Sequence, residues 1–145
     1  MTLVDANILL YAVDEESPFH PPAAHWLTEA LNGPRRIGLP WQSIVAFLRI
    51  STNDRASQHP LSPTAALEFV DDWLEAPAAW IPTPGPGHAS ILNDLISRYH
   101  LRGNLVSDAH LAALAIEHGL DLCSADSDFA RFSELRWTNP TSPPR

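Results

Sequence analysis

Every apolar segment of this chain that has strand character is short. Thr2 to Asp5, Ile37 to Leu39, Trp80-Ile81, Leu120 to Ser124 and Leu135 to Trp137 are each five residues or fewer. Between them lie longer stretches with helical spacing. Ala6 to Val13 is one. Another begins at Pro21-Pro22, carries Ala24, Leu27 and Leu31 on one face, and stops at Asn32-Gly33-Pro34. Pro40 to Ser51 places Ile44, Val45 and Leu48 at helical intervals. Ser62-Pro63 supplies a capping residue and a first-turn proline for a helix with Leu67, Val70 and Leu74 in one stripe and Ala66, Phe69 and Trp73 in a second. Ile91, Leu92, Leu95, Ile96 and Tyr99 mark a further helix. After the Gly103-Asn104 turn, an Ala-rich helix is expected from Asp108 to His118, closed by Gly119. Short strands alternating with helices predict an α/β fold with a parallel sheet covered by helices on both faces.

The chain has 145 residues, enough for one domain with a core of its own. Pro82 to Gly87 cannot be regular structure and is expected to be a connection, because neither half would stand alone. Residues 1–140 are therefore read as a single domain. The proline-rich residues after Pro140 are read as a flexible tail, 141–145. No apolar run reaches the ~18 residues of a membrane span, and the N-terminus lacks the pattern of a signal peptide, so a cytoplasmic location is expected. Cys123 is the only cysteine, which excludes an internal disulfide, and its strand position makes it a core residue.

Charge narrows the chemistry. Nine Arg stand against seventeen Asp and Glu, for a formal charge of -8, and there is no Lys. The missing Lys excludes a phosphate-binding P-loop and Schiff-base or Ser/Lys catalysis. It also argues against a phosphotransfer receiver, and Asp5-Ala6-Asn7 lacks the second Asp and following Thr of the dehalogenase-like phosphatases. An acidic chain binds nucleic acid poorly unless its charge is locally cancelled, by metal ions or neighbouring Arg. The same acidity suits a basic protein partner.

In parallel α/β sheets, ligands sit beyond the carboxyl ends of the strands. Asp5 closes the first strand, Asp126 follows the strand at 120–124, and Asp108 opens a helix entered from that side. Asp128 lies within reach of the same place. Grouped carboxylates offer hard oxygen ligands to Mg2+. Each Asp alone also fits an ordinary cap or turn, so composition and spacing reach no further than a candidate metal site. Asn7 can hydrogen-bond a metal ligand or act as a cap, Ser107 is placed to cap the helix at Asp108, and His110 is assigned to packing or to support of the site. Arg49 is expected either to reach a phosphate or to lie on the surface. Arg35-Arg36, Arg98 and Arg102 read best as solvated helix ends.

Four stretches resemble one family. Val4-Asp5-Ala6-Asn7-Ile8-Leu9-Leu10-Tyr11-Ala12 looks like the opening of PIN domains of the VapC toxin family. Leu39-Pro40-Trp41-Gln42-Ser43, running into Ala46-Phe47-Leu48-Arg49, is similar to a segment of one VapC subgroup. Gly103 to Ala115 and Ser124 to Phe132, followed by Trp137-Thr138-Asn139-Pro140, complete the match in order from about residue 2 to 140. The resemblance implies a PIN-like three-layer fold and a toxin–antitoxin endoribonuclease using Mg2+ or Mn2+. It implies metal-binding acids at Asp5, Asp108 and Asp126, with Asp128 auxiliary. It also implies a cognate antitoxin, an RNA substrate, a homodimer and a toxin–antitoxin hetero-oligomer. One departure stands out. Phe47 occupies the place where many PIN domains have a Glu, and residues 40–52 contain no acid. That departure motivates an alternative, an antitoxin-binding module with weak or no nuclease activity.

Overall fold

A computed structural model describes residues 1–142. Five parallel strands form one sheet in the order β3-β2-β1-β4-β5. They are β1 (Thr2–Val4), β2 (Ile37–Gly38), β3 (Ala79–Trp80), β4 (Asp121–Cys123) and β5 (Trp137–Thr138). Six α-helices accompany them: α1 (Ala6–Val13), α2 (His20–Leu31), α3 (Trp41–Ser51), α4 (Pro63–Glu75), α5 (His88–Tyr99) and α6 (Asn104–His118). A 3-10 turn covers Ser127–Arg131. No helix among the described residues is long and apolar enough to cross a membrane.

Alternation along β1 divides the core. Leu3 joins a cluster with Leu95, Leu111, Leu114, Leu122, Phe129 and Phe132. Val4 joins a second with Ile8, Leu9, Leu27, Ile44, Phe47, Val70 and Trp73. Successive side chains on a strand point to opposite faces, so a strand buried on both sides needs apolar residues at consecutive positions. Two helical layers thus enclose the sheet, as the alternating segments predict.

The helix starts follow local chemistry. Ser62 accepts a hydrogen bond from the Ala65 N–H at 3.1 Å, and Pro63 opens α4. α6 ends at Gly119 in the left-handed conformation, φ 67°. Its beginning departs from expectation. The helix starts at Asn104, directly after Gly103, whose φ of 59° turns the chain sharply. Asp108 therefore lies in the second turn of α6 and does not cap it, and Ser107 is no cap either. The 82–87 connection is irregular, as expected, and is clasped by Glu117. The Glu117 carboxylate accepts from the Gly85 and Gly87 N–H groups at 2.7 and 2.8 Å, which holds its pKa below the usual carboxylate range. At the start of the tail, the Thr141 N–H and hydroxyl both donate to Asn139 Oδ1. Residues 143–145 of the expected tail lie outside the described residues.

Candidate metal centre

β1 and β4 pair in parallel, with Val4 opposite Cys123. The next residue of each strand, Asp5 and Ser124, therefore emerges side by side at the carboxyl rim. Asp5 has extended backbone and is the N-cap of α1. Its Oδ1 accepts from the Ala6 N–H at 2.8 Å. Its Oδ2 accepts from the Ser124 hydroxyl at 2.8 Å and from the Asn7 amide at 3.3 Å. Asn7 Nδ2 also donates to Ser124 Oγ at 3.1 Å, and Asn7 Oδ1 accepts from the Ala125 N–H at 3.1 Å. Of the two roles open to Asn7, these contacts match the hydrogen bond to Asp5 and not a cap, since Asp5 is the N-cap of α1. Burial pushes the Asp5 carboxyl above its ordinary value, the Ser124 and Ala6 hydrogen bonds oppose this, and Asp126 adds a repulsion that raises it further.

Ser124 is the hub of this corner. It is fully buried, and its Oγ also accepts from the Asp126 N–H at 3.0 Å. Asp126 in turn accepts the Asp128 N–H at 2.9 Å and caps the 3-10 turn. Asp128 is thereby folded back towards Asp126. Asp108 approaches from α6. Carboxylate oxygens of Asp108, Asp126 and Asp128 lie within 4.8 Å of one another. Asp5 is not in this triplet, although its charge acts on Asp108 and it is itself repelled by Asp126. The Asp108 carboxyl is pushed up to about 6, first by burial and then by repulsion from Asp126, Asp5 and Asp128. Arg131 opposes this and lies 3.6 Å from Asp128.

The donor set is all hard oxygen, which fits a divalent cation of the Mg2+ type. Carboxylates this close repel unless a cation or a proton comes between them, and that repulsion adds to the burial that raises the Asp108 carboxyl.

Other expected residues fall elsewhere. Phe47 is fully buried and packs edge-on against Trp73 at 4.8 Å, so α3 sends no carboxylate to the cluster. Gln42 and Ser43 are the α3 residues that meet the rim. The Gln42 amide donates to the Ser107 carbonyl at 3.3 Å, and the Ser43 hydroxyl to the Val4 carbonyl at 2.7 Å. Arg49 is exposed in the last turn of α3. Arg36 stacks over Trp80, and Arg98 pairs with Glu134 and Asp94. His110 bonds the His88 ring at 3.0 Å and contacts no carboxylate by hydrogen bond, in keeping with a packing role. Burial and the facing His88 hold its pKa below the ordinary value.

Ser124 and Arg131 were not singled out by residue type. The only sequence signal for Ser124 is a polar residue at the exit of a buried strand. For Arg131 it is the three-residue spacing from Asp128.

The family model for the PIN domain matches residues 2–135. The chain belongs to the PIN domain family. The relatives that this PIN domain resembles include Ribonuclease VapC37 of Mycobacterium tuberculosis, 46% identical over 97% of both chains. Ribonuclease VapC33 of the same organism is 39% identical over 97% of this chain and 98% of its own. Among solved structures, VapBC2 of Rickettsia felis, bound to a promoter DNA fragment, aligns with a TM-score of 0.69 and 17% identity over 95% of this chain and 97% of that one. VapC20 of Mycobacterium tuberculosis, described as a sarcin–ricin loop cleaving toxin, aligns at 0.67 with 15% identity over 94% and 99%. At such identities the structures speak for the PIN fold alone.

Proposed function

We propose that this chain is the toxin of a type II toxin–antitoxin pair and a divalent-metal-dependent endoribonuclease, with Mg2+ as the resident ion and Mn2+ as a substitute. The observation that carries this reading is the Asp108, Asp126 and Asp128 triplet beside Asp5 at the carboxyl rim of the sheet, in a chain 46% identical to a VapC ribonuclease. In the reaction, water adds across one P–O bond of the RNA backbone, leaving a phosphate monoester on one fragment and a hydroxyl on the other. A divalent ion in such a site supplies a lowered water pKa and screens the phosphodiester charge. Asp5, Asp108 and Asp126 hold it in this reading, and Asp128 adds an auxiliary oxygen. Ser124 and Asn7 orient Asp5, and Arg131 steadies Asp128.

Residues 1–140 form the working unit, in the cytoplasm. An antitoxin covers the enzyme in a hetero-oligomer built on a toxin homodimer. Structures of VapBC and other toxin–antitoxin complexes among the fold neighbours support that assembly. Burial of Phe47 favours one alternative, a domain that binds its antitoxin and cleaves weakly or not at all.

The deciding test is cleavage of structured RNAs such as tRNA by antitoxin-free protein in Mg2+, Mn2+ and EDTA. Discrete fragments in either metal, abolished by EDTA, are expected. Folded protein that yields none in either metal supports the binding-module reading.

A further inference from the structure

α3 is one of two helices without an acid, α1 being the other, and it alone of the two carries a cation. It holds no carboxylate, and Arg49 is its only charged residue. Trp41, Val45 and Arg49, spaced by four, form one exposed stripe along it. Trp41 is 52% exposed and Val45 56%, although Trp is mostly buried in folded domains. The stripe begins at the candidate metal centre. Gln42, beside Trp41, donates to the carbonyl of Ser107, the residue before Asp108, and Ser43 donates to the carbonyl of Val4, the residue before Asp5.

We infer that Trp41 is a stacking platform for one base of a single-stranded RNA entering the acidic cluster, and that Arg49 meets a phosphate further along the strand, about 12 Å down the helix. The inference rests on the ribonuclease reading above. Two observations and one general property of stacking favour RNA as the occupant. A chain of net charge -8 without Lys has little to offer phosphates, so its affinity must come from elsewhere. Stacking on an aromatic face is independent of charge and tolerant of sequence. The stripe is also where a polyanion approaching Asp108 meets no carboxylate from α3. A second copy of the chain is the competing occupant, and the sedimentation arm of the test separates it from RNA.

The test uses the full chain and short single-stranded oligoribonucleotides in Mg2+ or Mn2+, scanned with one abasic nucleotide at a time. Because Trp41 is exposed, Trp41→Ala is expected to fold. Wild type should show one position beside the cleaved bond where base removal raises KM about tenfold, the scale of one stacked base. Trp41→Ala should raise KM by a similar factor on intact RNA and lose sensitivity to the abasic position, with kcat little changed. Trp41→Phe should restore both. An unchanged KM, or abasic sensitivity that survives Trp41→Ala, overturns the inference and leaves the ribonuclease reading standing. A fall in sedimenting mass for Trp41→Ala overturns it in favour of contact between copies. Failure of wild type to cleave any RNA removes both.

Discussion

Asp5 and Asp108 share one rim of the sheet but live in different surroundings. At the Asp5 corner both carboxylate oxygens, the Ser124 hydroxyl and both ends of the Asn7 amide have partners, and Ser124 is wholly buried. At the mouth, Asp108, Asp126 and Asp128 face one another within 4.8 Å, with Arg131 at the edge. The corner is finished by the protein alone. The mouth is left in a state of repulsion that a cation would relieve. Pre-orientation and readiness for an ion are thus divided between neighbouring groups of acids.

If that division holds, the two regions respond to different perturbations. The largest effect is expected for Asp108→Asn, which removes one carboxylate from the mouth. RNA cleavage should fall by more than about 100-fold, since residues that merely support metal ligands already cost about 10- to 100-fold. Timed fragment release in Mg2+ measures it, and retention of full activity would take Asp108 out of the site.

Ser124→Ala attacks the corner instead. It leaves the Asp126 N–H without its acceptor and Asp5 Oδ2 without its shortest donor. Stability should drop by about 2 kcal/mol in denaturant unfolding, within the range for stranded buried polar groups. Activity should fall about 10-fold or more through a misplaced Asp5. A variant as stable as wild type would show that the corner is not held by this hydroxyl.

The mouth should behave in the opposite sense when metal-free. The Asp108 carboxyl moves from 3.8 to about 6 on folding. Between those pH values the folded chain binds more protons than the unfolded one, so stability falls as pH rises through the window. Asp108→Asn should therefore stabilise the metal-free protein at pH 7.5 by relieving the burial of a charge and the repulsion from its neighbours, by about 1 kcal/mol because Asp108 is partly exposed and solvent screens both. The gain should vanish near pH 4. Thermal midpoints at the two pH values, in EDTA, decide it, and a destabilised variant at pH 7.5 would contradict the repulsion. The smallest effect is expected for Arg131→Gln. It should lift the Asp108 midpoint slightly, read by NMR titration of the side-chain carboxyl, and lower cleavage less than about 10-fold.

Much of this contrast was legible in the sequence. Asp5 and Asp126 follow short buried strands, and parallel sheets present such positions at one rim. Asp108 was placed on the correct side for a partly wrong reason. The chain enters α6 four residues earlier than expected, through the positive φ of Gly103, so Asp108 projects from the second helical turn. Ser124 was invisible because its meaning comes from the Asp5–Ser124 adjacency, a consequence of register between segments more than a hundred residues apart. The His88–His110 pair was hidden in the same way, since it depends on how α5 packs against α6. Phe47 was noticed for the acid it lacks, whereas its own place is a core contact with Trp73.

The strands of this sheet are only two or three residues long. The front and back of the sheet are then about 10 Å apart. That is about one Debye length at 0.1 M salt. Arg136, paired with Asp121 at the start of β4, therefore sits about one such length behind the acids, with its charge already offset by its partner. The counter-charge that the Asp108 carboxyl feels comes instead from within the mouth, from Arg131 at its edge.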